Sequence, residues 1–137
     1  MTGEKITICN RLDQLEVLSA FIEKFSAERD LPGNAPMEIN LVLEELIVNT
    51  IFYGYDDQDE HTIDINIAFE DKILQLQIGD DGREFNPLLH PEADTTSDLS
   101  ERKPGGLGIH FVRKIMDEIT YTRSGNKNIL KLTKHFN

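Results

Sequence analysis

The chain has 137 residues, 39% of them hydrophobic, with 25 acidic against 14 basic side chains and a net charge of −11. That length and apolar share suit one domain, residues 1–137, around one core, and the acidity argues against a nucleic-acid backbone or an anionic membrane as the main partner. The single cysteine, Cys9, excludes a disulfide framework and a cysteine-ligated zinc site.

Met1–Asn10 lacks the apolar stretch of a signal peptide, and no apolar run approaches membrane-spanning length, so a soluble cytoplasmic protein is expected. Lys5–Cys9 alternates and predicts a first strand at a sheet edge, with Cys9 as a small buried hydrophobe. Leu12–Arg29 places Leu12, Leu15, Val17, Leu18, Phe21, Ile22 and Phe25 at helical spacing, and Leu31-Pro32-Gly33-Asn34 ends that helix. A second helix runs from about Pro36, suited to a first turn, to Gly54, suited to a C-terminal stop. Thr62–Phe69 and Ile73–Ile78 alternate and predict a hairpin across Glu70-Asp71-Lys72. Gly106–Met116 predicts a third helix, and Ile119–Thr122 with Ile129–Lys134 a final hairpin across Ser124-Gly125-Asn126-Lys127. The order β-α-α-β-β-α-β-β suggests an α+β two-layer sandwich, a mostly antiparallel sheet with helices on one face.

Three stretches carry chemistry. On the second helix, Ile39, Val42, Leu43, Leu46, Ile47 and Thr50 share the core face, whereas Glu45 and Asn49 line its border one turn apart. A carboxylate and an amide at such a border need polar partners, although solvated borders are ordinary in amphipathic helices. Asp80-Asp81-Gly82 follows an apolar strand, where a carboxylate can accept a hydrogen bond from a base, and is equally common turn chemistry. Pro104-Gly105-Gly106-Leu107-Gly108 opens a helix, where backbone N–H groups and the helix dipole favour phosphate. Between the last two lie sixteen mostly polar residues, Leu88–Lys103, without periodicity. A connection of that length fits a lid, over about residues 88–104. The four histidines have no metal-ligand spacing.

In combination these stretches resemble the GHKL (Bergerat) ATP-binding superfamily. Glu45-Leu46-Ile47-Val48-Asn49 is similar to its N box, Asp80-Asp81-Gly82-Arg83-Glu84-Phe85 to its Asp-x-Gly-x-Gly box and Gly106-Leu107-Gly108 to its second glycine box. Phe85-Asn86-Pro87 and the run Gly105-Gly106-Leu107-Gly108-Ile109-His110 resemble most the stand-alone anti-sigma-factor serine kinases of the RsbW and SpoIIAB type. The resemblance implies ATP and Mg²⁺ as cofactors. It implies Glu45 as general base, Asn49 as Mg²⁺ ligand, Asp80 as acceptor of the adenine amino group, and Gly82 as the point of close backbone approach to the base. It further implies Gly105, Gly106, Leu107 and Gly108 at the phosphates, and Asn128 near a position that such proteins often fill with a threonine under the base. Glu84 departs from the pattern by replacing the second glycine of the first box, and Arg102 and Lys103 are the lid's candidate phosphate cations. The implied function is a serine/threonine kinase that binds a sigma factor or comparable regulator and phosphorylates a small anti-anti-sigma-type protein, with no direct nucleic-acid or membrane contact and with room for a homodimer. The alternative is a nucleotide-gated binding module that transfers no phosphate. A self-contained histidine kinase is disfavoured, because no His-Glu/Asp-x-x-Arg/Lys-Pro phosphoacceptor box is present.

Overall fold

Alternation and turn chemistry build the sheet. In the computed structural model, which describes residues 3–89 and 107–137, five strands form: β1 (Gly3–Cys9), β2 (Thr62–Glu70), β3 (Ile73–Asp80), β4 (Glu118–Ser124) and β5 (Lys127–His135). They lie in the order β1-β2-β3-β5-β4, with all four pairings antiparallel. Both hairpins close through two residues. Glu70 pairs with Ile73, which leaves Asp71 (φ 52°) and Lys72 (φ 64°) in the left-handed conformation that matches strand twist. Ser124 pairs with Lys127 across Gly125 (φ 61°) and Asn126.

Ile63, Ile65 and Ile67 of β2, Leu74, Leu76 and Ile78 of β3, and Leu130 and Leu132 of β5 are buried on one sheet face. The intervening Asp64, Asn66, Gln75, Gln77, Lys131 and Thr133 take the other, which is polar. Three helices cover the apolar face: α1 (Leu15–Arg29), α2 (Ala35–Tyr53) and α3 (Leu107–Ile115), with α2 packed against both of the others. Leu18, Ile22 and Phe25 of α1, Ile39, Val42, Leu43, Leu46 and Ile47 of α2, and Ile109 and Val112 of α3 complete one core with the strands. This is the expected α+β two-layer arrangement.

The differences from expectation are local. Leu12–Gln14 is a 3₁₀ turn, so α1 begins at Leu15. Gly54 does end α2, but at φ −89° and not through a left-handed cap; a Cβ there would sit 2.6 Å from the Thr50 carbonyl oxygen. β3 runs on to Asp80, two residues past the alternating stretch. Cys9 is half-exposed, not buried: with Ile8 turned into the core, strand alternation sends Cys9 to the opposite face. Among the described residues, no helix is long and apolar enough to cross a membrane.

Candidate nucleotide site

One helix carries half of the candidate site. Asn49 is fully buried on α2, and its Nδ2 donates to Glu45 Oε1 one turn earlier at 3.2 Å. Asn49 Oδ1 has no hydrogen-bond partner among the described residues. A buried amide oxygen left unsatisfied is costly, and its hard oxygen donor suits Mg²⁺. Glu45 is half-buried at the edge of an apolar groove of about 200 Å³ between α2 and α3, lined also by Leu41, Val42, Phe111, Val112 and Ile115.

The C-terminal end of α2 leads to the second half. Gly54 lies five residues beyond Asn49, roughly 7.5 Å along the axis at the usual rise. Its carbonyl oxygen accepts from Arg83 N at 2.8 Å, and the Tyr53 carbonyl accepts from Arg83 Nε at 2.8 Å. A cation at the negative end of the helix dipole is favourable, and the two bonds fasten the turn after β3 to α2. A Cβ on Gly82 would overlap the Gly54 carbonyl oxygen, so glycine is required here by the approach of the turn to α2.

Asp80, the last residue of β3, pairs with Ile63 on one side and Asn128 on the other and is 5% exposed. Its Oδ1 accepts from Gly82 N and from Asn128 Nδ2, each at 2.9 Å. Asp80 Oδ2 accepts nothing among the described residues, which leaves one carboxylate oxygen for a ligand donor. Burial pushes the Asp80 carboxyl above the usual carboxylate range, and the bonds from Asn128 and Gly82 act in the opposite direction.

Asn128, read from sequence only as a neighbour of the base position, instead touches Asp80 directly. Its Nδ2 also donates to the Arg83 carbonyl at 2.7 Å, and its Oδ1 accepts from Tyr121 (2.5 Å), Arg123 (3.1 Å) and Phe85 N (3.3 Å). Tyr121 and Arg123 were not picked out in the sequence; the β4–β5 register, which sets Arg123 opposite Asn128, was the available signal.

Other expected residues are placed less fully. Leu107 and Gly108 open α3. Gly105, Gly106, Arg102, Lys103 and residues 90–104 of the expected lid lie outside the described residues. The lid's first residues, Leu88 and Leu89, belong to a 3₁₀ turn over Pro87–Leu89, and Arg113 of α3 donates to the Leu88 carbonyl at 2.6 Å. Glu84 is exposed beside the Asp80 turn. No group of three metal-ligating His, Cys, Asp or Glu side chains occurs among the described residues.

A histidine absent from the motif reading braces this end of the site. The His61 ring stacks on Tyr55 at 4.4 Å, with Nε2 2.7 Å from Asp57 and Nδ1 3.1 Å from Asp81. The bond to Asp57 chiefly, and then that to Asp81, hold His61 above its ordinary value, and His61 in turn lowers Asp57. A raised imidazole stabilises the fold fully below its unfolded value, roughly pH 6.5, and loses that effect as pH rises through the folded value. The lowered Asp57 adds stability only above its own unfolded value, roughly pH 4. His61→Gln is therefore expected to lower the melting temperature most between about pH 4.5 and 6.5, with the gap narrowing toward pH 9. Thermal melts across that range check it; a gap independent of pH would show that the imidazolium contributes nothing.

Residues 8–134 match the family model described as the histidine kinase-like ATPase domain. The chain belongs to that family. Membership in an ATPase family implies an ATP site. The chain is 26% identical over 115 residues to the anti-sigma F factor of Bacillus velezensis, an alignment covering 83% of this chain and 79% of that one. It is 25% identical, with the same coverage, to the anti-sigma F factor of Bacillus subtilis. To the serine/threonine-protein kinase BtrW of Bordetella bronchiseptica it is 24% identical over 97 residues, or 71% of this chain and 68% of that one. The crystal structure of the RsbU and RsbW domains of a Mycobacterium tuberculosis protein superposes with a TM-score of 0.66 at 13% identity, covering 98% of this chain and 32% of the other. At that identity the superposition supports the fold.

Proposed function

We propose that this histidine kinase-like ATPase domain is an Mg²⁺-ATP-dependent protein serine/threonine kinase that acts as an anti-sigma or comparable partner-switching regulator and phosphorylates an antagonist protein. The observation that carries the reading is the Glu45–Asn49 pair: a half-buried carboxylate one turn from a buried amide whose oxygen has no partner among the described residues, on the helix that holds the Asp80 turn. The names of the relatives, anti-sigma F factor and serine/threonine-protein kinase, support it. On this reading residues 1–137 act as one ATP-binding domain with a lid over about residues 88–104.

In this reading Glu45 takes the proton that the acceptor hydroxyl loses, Asp80 Oδ2 accepts from the adenine amino group, and the amides of Gly105, Gly106 and Gly108 donate to phosphate oxygens. Asn49 Oδ1 is the protein's ligand for Mg²⁺, which when bound neutralises charge on the triphosphate. Phosphoryl transfer needs chiefly such positioning and charge neutralisation, so one carboxylate with these donors is sufficient protein chemistry. A binding module has no use for a base at Glu45, which favours the enzyme.

The test is incubation with γ-labelled Mg²⁺-ATP and the proteins encoded beside this chain. Label on a serine or threonine of one of them is the expected result. ATP binding without label on any of them would favour the nucleotide-gated binding module.

A further inference from the structure

The two donors that converge on Asn128 have no place in the reading above, yet they decide which way its amide faces. Tyr121 hydroxyl (2.5 Å) and Arg123 NH1 (3.1 Å), with Phe85 N (3.3 Å), all donate to Asn128 Oδ1. On the amide's other side stand two acceptors, Asp80 Oδ1 at 2.9 Å and the Arg83 carbonyl at 2.7 Å. A guanidinium and a backbone N–H can only donate. Turning the amide over would face NH₂ against those donors and a carbonyl oxygen against a carboxylate and a carbonyl. Arg123 NH1 is further fixed by the Gly82 carbonyl at 2.8 Å, in the turn that follows Asp80.

We propose that Tyr121 and Arg123 are positioning residues for base selection: by locking the Asn128 amide they hold Asp80 Oδ1 as a filled acceptor and keep Oδ2 turned to the ligand, so that the site prefers a purine with an exocyclic amino group at this point over one with a carbonyl. The proposal rests on the reading of Asp80 as the base contact and adds what orients it. With the clamp removed, Phe85 N is the one donor left to Asn128 Oδ1, so the amide that donates to Asp80 is held less firmly. Asp80 can then turn or accept a proton, and a protonated carboxyl donates to a carbonyl as readily as it accepts from an amine.

Binding of ADP and of IDP, whose base has a carbonyl in place of the amino group, is measured by calorimetry for wild type, Tyr121→Phe, Arg123→Met and the double variant, with melting curves alongside. Wild type is expected to prefer ADP. The double variant is expected to lose about tenfold of that preference, the effect of one charge-assisted bond, mainly through weaker ADP binding and with IDP affinity kept within about twofold. Tyr121→Phe, which deletes a single oxygen, should lose about threefold and serves where the double variant does not fold. A wild-type ADP preference that persists unchanged in the folded variants overturns this proposal alone. A wild type that binds both nucleotides equally overturns the Asp80 reading and this proposal with it.

Discussion

Asp80→Asn is expected to lower affinity for ATP and ADP by about 10²-fold or more, while the nucleotide-free protein melts no lower than wild type. The first half follows from which oxygen is already in use. Gly82 N and Asn128 Nδ2 both donate to Asp80 Oδ1, so an asparagine at this position must keep its oxygen there and place its NH₂ where Oδ2 now stands. An NH₂ facing the exocyclic amine of adenine sets donor against donor, and buried mispaired polar groups discriminate by such factors. The second half follows from burial. Desolvation raises the Asp80 carboxyl, so its ionised form opposes folding increasingly as pH rises through the ordinary carboxylate range. The amide removes that opposition while keeping both accepted bonds. The melting temperature of the variant should thus gain on wild type as pH rises above about 4, the ordinary carboxylate value. Calorimetric titration and thermal melts check the two halves separately, and a variant that binds ATP as wild type does would exclude Asp80 as the base contact.

That pairing of a functional group with a structural cost also marks what the sequence made legible. The core face of α2 was readable because Ile39, Val42, Leu43, Leu46, Ile47 and Thr50 repeat at the helical period, and all six are buried. The same period set Asn49 at a border, yet it is buried completely, on a helix that packs against both α1 and α3. Helix–helix packing is not written in the period of one helix. Asp80 was read at a strand end because a carboxylate ended an apolar alternation. Its partner Asn128 was placed only loosely, since the pairing of the two depends on the register of β3 against β5 across 48 residues of chain. The bracing of His61 by Asp57 and Asp81 had no sequence signal, as it joins a loop to a turn through side chains that follow no period. Cys9 departs from its expected burial for a simple reason: in a strand with one buried face, a small apolar residue next to a buried isoleucine goes where alternation sends it.

Glu45→Gln is expected to slow phosphate transfer to the partner by about 10²–10⁴-fold, the usual cost of removing a general base, with nucleotide affinity nearly unchanged. The geometry explains why the two effects separate. Glu45 Oε1 accepts from Asn49 Nδ2 at 3.2 Å, and a glutamine can keep an oxygen at that point, so the buried Asn49 is not released. What the amide cannot do is take a proton from an incoming hydroxyl. Asn49→Ala separates them the other way. It deletes Oδ1, unpartnered among the described residues, and with it the proposed Mg²⁺ ligand, so affinity for ATP should fall in the presence of Mg²⁺ and become nearly independent of the ion. It also leaves a small cavity in a fully buried position, so a melting curve must accompany the titration. Transfer rate and nucleotide affinity, measured for both variants against the same partner, give a two-by-two pattern. A base at Glu45 requires slow transfer with retained binding in Glu45→Gln, and an Mg²⁺ ligand at Asn49 requires weakened, Mg²⁺-insensitive binding in Asn49→Ala. If Glu45→Gln transfers phosphate at the wild-type rate, the carboxylate is only a brace for Asn49. The base must then be sought elsewhere along the groove between α2 and α3.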